Sequence, residues 1–490
     1  MTGATSILWT ARAAAAAVGG RLTTEGAATA DAAITGVAID SREVRAGDLF
    51  IALRGDANDG HDYAVAAEAA GATALLVDRA VPGLTGAALV ITCGDTMAGL
   101  QALGAAARAR FTGRMIAVTG SVGKTGTRGA IARALASYGR VHQSVRSFNN
   151  HWGVPLSLAR MPADAAFAVL ELGMNHAGEI DALSRLARPH VALITKIAPA
   201  HLGNFDGEEA IADAKAEIFN GLEADGVAVL NRDSRHFDRL AAAVLLGHAA
   251  TRVIDFATSR HGGQRAVVRL VTATPTVAGT AVAAEVAGLP VDFIIGVPGA
   301  HWVENALAVL GVLHALGLDP VPGAAALAGL DAPAGRGTQI RLPLGGGQVL
   351  IVDETYNANP ESMRAAICLC AELVAVHGGR LVAVLGDMLE LGDHARRLHE
   401  ELTTPLVDAD AALVYTAGPA MAHLHDRLDP GRRADHGDTS DAVAPAVVEG
   451  LMAGDVVLVK GSRGMRMERV IAAITAALAP PAIARKQTRG

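Results

Sequence analysis

The run Met115-Ile-Ala-Val-Thr-Gly-Ser-Val-Gly-Lys-Thr125 carries residue types that can act on phosphate. An apolar strand leads into a glycine turn, then into Lys-Thr and a helical stretch, Arg128–Tyr138. Gly120 and Gly123 allow backbone N–H groups across Gly120, Ser121, Val122 and Gly123 to approach phosphate oxygens. The helix that follows offers its positive N-terminus to the same anion. Lys124 would reach the β- and γ-phosphates of a nucleotide, and the Thr125 hydroxyl would hold Mg²⁺. The strict phosphate-loop pattern has glycine five residues before Gly123, where this chain has Val118. An ordinary strand-to-helix turn is the competing reading.

A magnesium nucleotide needs an acidic partner. Phe167-Ala-Val-Leu-Glu171 places a carboxylate at the end of an apolar strand, where ligands of parallel sheets gather. Taken alone, Glu171 reads equally as a solvent-facing strand end. Beside Leu172-Gly-Met-Asn-His176 and the glycine turn it reads as a metal ligand. His201 follows the apolar run Val191–Ile197, a place where a lone histidine is usually a turn residue. Lys215, in Ala214-Lys-Ala-Glu-Ile-Phe219, has the look of an exposed helix lysine.

The elements that must position these groups form three blocks. In Ile34–Asp78, GVAID, DLFIAL and ATALLVD alternate with a helical stretch, Tyr63–Ala70, as in a small α/β unit. A helix over Met97–Phe111 then leads into VHQS, AFAVLELG, HVALITKI, GVAVLN and RVIDF, separated by helical segments. That order predicts a mostly parallel sheet covered on both faces. After the Gly- and Pro-rich DAPAGRG (331–337), QVLIVDE, RLVAVLG, AALVYTAG and DVVLVKG form a second doubly wound unit. The 490 residues suit about three domains at ~150 residues each. With 51% hydrophobic and 19% charged residues the chain packs rather than staying disordered. A net charge of −7 and 3% aromatics exclude nucleic acid as an expected partner. No apolar run is long enough to span a membrane, so no membrane insertion is expected. The Ala-rich stretch after Arg12 predicts a surface helix ending at Gly19-Gly20 rather than a targeting signal. Cys93, Cys368 and Cys370 offer no disulfide framework, which suits a reducing cytoplasm; Cys368 and Cys370 are expected on different helix faces, as core thiols.

The motifs resemble the Mur ligases of peptidoglycan synthesis over essentially the whole chain. Beyond the glycine turn, the resemblance rests on Asn149-Asn-His-Trp-Gly-Val-Pro155, Glu171-Leu-Gly-Met-Asn-His-Ala-Gly-Glu179 and Ala214–Phe219. It continues through Gly299-Ala-His-Trp-Val-Glu-Asn-Ala-Leu307, Gly335-Arg-Gly337 and Asp353-Glu-Thr-Tyr-Asn-Ala-Asn-Pro360. Leu385-Gly-Asp-Met-Leu-Glu-Leu-Gly392 and Val459-Lys-Gly-Ser-Arg-Gly-Met-Arg-Met467 complete it. The resemblance implies three α/β domains: a UDP-substrate domain (1–110), a central ATP-binding domain (111–331) and a C-terminal Rossmann-like domain (332–490). Hinges are expected near Ala109–Gly113 and Asp331–Gly337.

By the same resemblance, ATP drives amide formation through an acyl phosphate. UDP-N-acetylmuramoyl-tripeptide and D-alanyl-D-alanine are the implied substrates, in a cytoplasmic monomer. Lys124 would contact ATP phosphates, Asn305 adenine, Arg336 the γ-phosphate and Asp353 the ribose. Thr125, Glu171, His201 and a carbamylated Lys215 would serve two Mg²⁺ sites. Lys124, His201, Lys215 and Arg336 are the implied catalytic residues. Ser41, Asn150, Asn175, Tyr356 and Asn357 are the implied substrate contacts, and His201 and His176 are both conceivable bases for the amine. Glu354 and Thr355 depart from the commoner Asp-Ser, Gly126 from Thr or Ser, and Lys196 from Asn. A family ligase adding diaminopimelate or lysine, a phosphate-loop NTPase without ligase activity, and a non-catalytic scaffold are the rival readings. Whether the third residue of the tripeptide is diaminopimelate or lysine stays open.

Overall fold

The computed structural model describes residues 6–23, 29–55, 58–144, 148–198, 204–247, 252–259, 265–276, 278–331 and 335–478. Two compact units emerge from it: 1–197 with 209–295 and 303–328, and 329–490 with 198–208 and 296–302. Among the described residues no helix is long and apolar enough to cross a membrane.

The first unit begins with β1 (Trp9–Thr10), α1 (Ala11–Ala17), β2 (Arg21–Thr23), β3 (Ala33–Ile34), β4 (Gly36–Ala38) and β5 (Asp48–Ile51). α2 (Ala64–Ala69), β6 (Ala74–Val77), β7 (Leu89–Thr92) and α3 (Thr96–Arg110) follow. β1 pairs with β3, and the larger sheet runs β2-β7-β6-β5-β4, parallel except for β2. The side chain of Asp95 starts α3 by accepting the Ala98 N–H at 2.7 Å, satisfying one of the helix's unpaired donors. α1 is less a surface helix than expected, because Ala11, Ala14 and Ala15 form a buried face.

Next come β8 (Arg114–Thr119), α4 (Lys124–Leu135), β9 (Val141–Gln143), α5 (Gly153–Ala159), β10 (Phe167–Glu171), α6 (Glu179–Ala187) and β11 (Val191–Ile194). α7 (Glu208–Ala216), β12 (Val227–Asn231), α8 (Phe237–Gly247) and β13 (Arg252–Ala257) extend the same pattern. The sheet then gains β14 (Val268–Thr276), β15 (Gly279–Val286) and β16 (Leu289–Ile295), before α9 (Ala300–Ala315) and α10 (Pro320–Ala326). Its order is β16-β15-β14-β13-β12-β11-β8-β10-β9. The strands from β9 to β14 pair in parallel, as expected, but β14-β15-β16 is an antiparallel edge that the sequence reading missed. The reason is compositional: VRLVTATPT exposes most of its residues, and one-sided polar strands lack a continuous apolar run. The turn signal was present in Ala287-Gly288, both at positive φ, joining β15 to β16.

Ala109–Gly113, expected as a hinge, is anchored at Phe111 and Gly113. Phe111 is 4% exposed, and a Cβ on Gly113 would lie 2.4 Å from the Ala166 carbonyl. Leu103 and Ala107 of α3 share one apolar core with Leu156 and Ala159 of α5. Trp9 Nε1 donates to Ala159 O at 2.8 Å, with the Arg110 guanidinium 3.9 Å above its ring. The 1–110 segment and the central sheet therefore belong to one compact unit.

In the second unit β17 (Thr338–Leu344), β18 (Gly347–Glu354), β19 (Leu381–Gly386), β20 (Ala411–Ala417), β21 (Arg433–Gly437) and β22 (Val456–Lys460) form a sheet of order β17-β18-β22-β19-β20-β21. Only β17 is antiparallel. Alternate residues of β18 enter separate cores, Leu350 and Val352 on one face and Val349 and Ile351 on the other, so both faces are covered. The helix α11 (Pro360–His377) corrects one expectation: Cys370 is buried, but Cys368 is exposed. Two residues advance a helix by about 200°, so burying one thiol turns the other outward.

His142 on β9 donates from Nε2 to Ser157 O at 2.7 Å, and burial pushes its pKa down to about 4. Between that value and the ordinary 6.5 the unfolded chain binds the extra proton, so stability rises with pH across this window and is lost as pH falls through it. His142→Gln keeps a donor and removes the titration. Unfolding free energies from urea titrations between pH 7 and 4 should then fall by about 3 kcal/mol less than in the parent. Parallel pH dependences would exclude His142 as the source.

Candidate functional site

β8 is the strand at which the order of strands in the central sheet switches sides. β10 lies on one side of it and β11 on the other, so the crevice beyond their carboxyl ends is where a parallel sheet accepts a ligand. The glycine turn, Glu171 and the segment after Ile194 all leave the sheet at this edge. Gly123 has φ +85° and starts α4, leaving the first N–H groups of that helix without intrahelical partners.

The loop's shape is held from β11. Ser121 N–H donates to Lys196 O at 2.7 Å, and Val122 and Lys196 form a bridge. Thr195 Oγ1 donates to Val122 O at 2.6 Å, with Thr119 O 3.2 Å away. A Cβ on Gly120 would lie 2.0 Å from Thr195 Oγ1, so the threonine hydroxyl leaves room only for glycine there. Thr195 is a site residue that the sequence reading missed, since only the pairing of β11 with β8 brings it to the loop. The same pairing gives Lys196 a backbone role, which any side chain could fill. Nothing in the structure explains why that side chain is lysine.

Lys124 Nζ donates to Gly120 O at 2.7 Å, within the loop it would serve. The Ser121 hydroxyl oxygen is buried with no hydrogen-bond partner among the described residues. Asn305, on α9, is buried, and a Cβ on Gly123 would come 3.1 Å from its Oδ1. Glu304 beside it accepts from Asn231 Nδ2 at 2.5 Å, tying α9 to the end of β12.

Glu171 is 1% exposed. Thr125 Oγ1 donates to its Oε2 at 2.9 Å and Asn149 Nδ2 to its Oε1 at 2.8 Å. No ion pair compensates it among the described residues. A buried carboxyl group held by two neutral donors suits a site completed by a cation. Among the described residues no three His, Cys, Asp or Glu side chains gather to hold a metal by themselves. One carboxylate, one hydroxyl and nucleotide phosphates are the donor set that Mg²⁺ commonly takes. The residues present therefore fit the ion.

Lys215, in the last turn of α7, is 2% exposed, so its expected look of an exposed helix lysine is corrected. Burial, reinforced by the charge of Lys124 and opposed by Glu217, holds its pKa well below the usual lysine range. A neutral amine is the form that adds CO₂. Glu217 also accepts from the Gly178 and Asp181 N–H groups at 2.7 and 3.1 Å, fastening this segment to the start of α6. His201 lies outside the described residues.

Other expected contacts are spread over the first unit. Asn150 Oδ1 accepts the Gly153 N–H at 3.0 Å at the start of α5, while its neighbour Asn149 is the residue that reaches Glu171. No spacing rule separates two adjacent asparagines in advance. Asn175 donates its N–H to Glu179 at 2.7 Å, and His176, 68% exposed in its side chain, pairs with Glu179 at 3.2 Å. Ser41 opens a single 3₁₀ turn, Ser41–Glu43, capped by Asp40.

In the second unit Asp353 is the next-to-last residue of β18. Its Oδ1 accepts from Thr355 N and Thr355 Oγ1 at 3.1 and 2.7 Å, so threonine supplies the hydroxyl that serine more often brings. Glu354 pairs with buried Lys460 at 3.1 Å, and Lys460 Nζ also donates to Asn357 O at 3.0 Å. The strand register sets Glu354 directly opposite Lys460. Asn357 is exposed, and its Oδ1 accepts the Ala358 N–H at 2.9 Å. The Arg336 guanidinium lies 4.2 Å over the Tyr356 ring.

Thr195→Val keeps the volume but leaves the Val122 carbonyl without its donor, a loss of about 1–2 kcal/mol in loop organisation. ATP affinity measured by titration calorimetry should fall about tenfold, and Thr195→Ser should retain most of it. Unchanged affinity in the valine variant would show that the loop needs no brace.

Family models match in three places: the Mur ligase family catalytic domain at residues 33–92, the Mur ligase middle domain at 118–313 and the Mur ligase glutamate ligase domain at 335–463. The UDP-N-acetylmuramoyl-tripeptide–D-alanyl-D-alanine ligase of Bacillus subtilis (strain 168) is 36% identical over 444 residues, covering 89% of this chain and 92% of that protein. The enzyme of the same name from Escherichia coli (strain K12) is 33% identical over 448 residues, 91% of this chain and 94% of its own. Among solved structures, MurF from Acinetobacter baumannii superposes with a TM-score of 0.81 at 28% identity, over 96% of this chain and 99% of that one. MurF ligase from Thermotoga maritima in complex with ADP gives 0.73 at 27% identity, over 90% and 97%. With its phosphate loop and buried carboxylate at the switch of the central sheet, and with relatives of this identity along nearly its whole length, the chain belongs to the Mur ligase family.

Proposed function

We propose that this protein is the ligase that joins D-alanyl-D-alanine to UDP-N-acetylmuramoyl-tripeptide at the expense of ATP. It acts as a monomer in the cytoplasm, at the last peptide addition to the peptidoglycan precursor. The observation that carries the reading is the set of Lys124, Thr125 and Glu171 on one sheet edge, together with Lys215, whose pKa burial and the charge of Lys124 hold well below the usual lysine range. The three domains would run 1–110, 111–331 and 332–490.

A carboxylate is a poor acyl donor because its leaving group would be oxide. Transfer of the γ-phosphoryl group to the tripeptide carboxylate gives an acyl phosphate, and the dipeptide amine then displaces phosphate. The protein's contribution to the first step is positioning and charge. The loop N–H groups and Lys124 hold the phosphates; Lys124 would exchange the Gly120 carbonyl for a phosphoryl oxygen. Mg²⁺ bound by Thr125 and Glu171 would neutralise phosphate charge. Arg336 and Asp353 are proposed as the γ-phosphate and ribose contacts, and Asn305 as the adenine contact. Ser41, Asn150, Asn175, Tyr356 and Asn357 are proposed for the two acceptor and donor substrates. Lys215 is proposed to be carbamylated, converting a buried amine into an anion for a second Mg²⁺, with His201 completing the metal sites. Its depressed pKa supports this, since CO₂ adds to the unprotonated amine.

Phosphate release from ATP with UDP-N-acetylmuramoyl-tripeptide should depend on D-alanyl-D-alanine and should not be supported by diaminopimelate or by omitting the acceptor. Release without the dipeptide would sink the assignment in favour of an NTPase. Lys215→Ala should lower turnover by about 10²-fold or more, and millimolar formate or acetate should recover part of it. Absence of any rescue would remove the carbamate from the scheme.

A further inference from the structure

We propose that Asn149 is a positioning residue for the Glu171 carboxylate, and that Gly173 lacks a side chain because the Asn149 amide occupies that space. Together they set the protein's affinity for the divalent cation. This rests on the reading of Glu171 as a metal ligand.

Two hydrogen bonds and one steric exclusion make the arrangement. Asn149 Nδ2 donates to Glu171 Oε1 at 2.8 Å, and Gly173 N–H donates to Asn149 O at 2.8 Å. A Cβ built on Gly173 would fall 2.7 Å from Asn149 Cγ, 2.8 Å from Oδ1 and 2.9 Å from Nδ2. Any side chain at 173 would therefore push the amide off the carboxylate. The backbone and side chain of one asparagine thus grip both ends of Glu171-Leu-Gly173.

The chemistry explains why this donor is an amide. Each carboxylate oxygen has two lone-pair directions. Asn149 takes one on Oε1 and Thr125 one on Oε2, which fixes the plane of the group and leaves, among the described residues, one direction without a donor on each oxygen. A neutral donor fixes orientation without cancelling charge. Lysine or arginine at 149 would pair with Glu171 and repel the incoming cation. With Glu171 buried, this orientation is set before the ion arrives.

The test uses Mn²⁺ as the probe, titrated into the full-length protein saturated with a non-hydrolysable ATP analogue, with free Mn²⁺ read by electron paramagnetic resonance. Asn149→Leu and Gly173→Ala should each weaken Mn²⁺ binding about 10- to 100-fold, the usual effect of removing a group that orients a metal ligand. The double variant should be no worse than the weaker-binding single one, because both changes break the same contact. Metal-free binding of the analogue should be unchanged in each. Where the leucine variant does not fold, Asn149→Ser, too short to reach Glu171, serves in its place. Parent-like Mn²⁺ affinity in the Asn149 variants would overturn the proposal, as would an equal loss of metal-free analogue binding. Glu171→Gln separates the two readings: if it binds Mn²⁺ as the parent does, Glu171 is no ligand and both readings fail. If it loses Mn²⁺ while the Asn149 variants do not, only the positioning role fails.

Discussion

Glu171 sits at the end of a strand buried on both faces, with its carboxylate among the least exposed groups of the chain. Removing an ionised carboxylate from water costs several kcal/mol unless charge or hydrogen bonds replace the water. Here two neutral donors, from Thr125 and Asn149, replace part of it. The rest of the site answers that deficit. Thr125 belongs to the phosphate loop, so the group that would share a cation with ATP is bonded to the carboxylate that would share the same cation. Lys215 shows the inverse imbalance: burial first, and then the charge of Lys124, hold its pKa well below the usual lysine range.

Parallel topology is what lets these groups meet. β8, β10 and β11 all end at the same edge of the sheet, and the chain changes sides between β10 and β11. The phosphate loop emerges between Glu171 and Thr195, and both neighbours hold it. The antiparallel β14-β15-β16 extension lies at the far edge of this sheet and contributes none of these side chains. In the C-terminal sheet the same principle operates locally: Asp353 and Glu354 end β18 beside Lys460 at the end of β22, and the buried Lys460 secures the turn that carries Tyr356 and Asn357.

Much of this was legible before any coordinates. Strand–turn–helix order around Gly120–Thr125 is a local property, because the backbone conformation needed there selects glycine, and apolar runs of four to six residues separated by helices announce a covered parallel sheet. What stayed hidden was non-local or one-sided. β15 and β16 alternate more and less buried residues and β14 is mostly exposed, so none of them is a run buried on both faces. Cys368 and Cys370 share an apolar stretch, yet helix geometry buries only one. Asn149 and Asn150 are chemically identical and adjacent, and only the approach of Gly173 decides which of them touches Glu171. Lys215 carries no mark in its surroundings that tells a buried lysine from an exposed one.

By itself the amino-acid sequence determined the fold class, the phosphate loop and the family, because these depend on residue types at short fixed spacings. Tertiary structure alone decided which polar groups share the buried site, that residues 1–110 and the central sheet belong to one compact unit, and that Thr195 and Asn149 bond to the loop and the carboxylate. Those outcomes depend on strand order and on what fills the space left by a missing Cβ. Neither is encoded in any one segment, since each arises where two distant segments exclude water from each other.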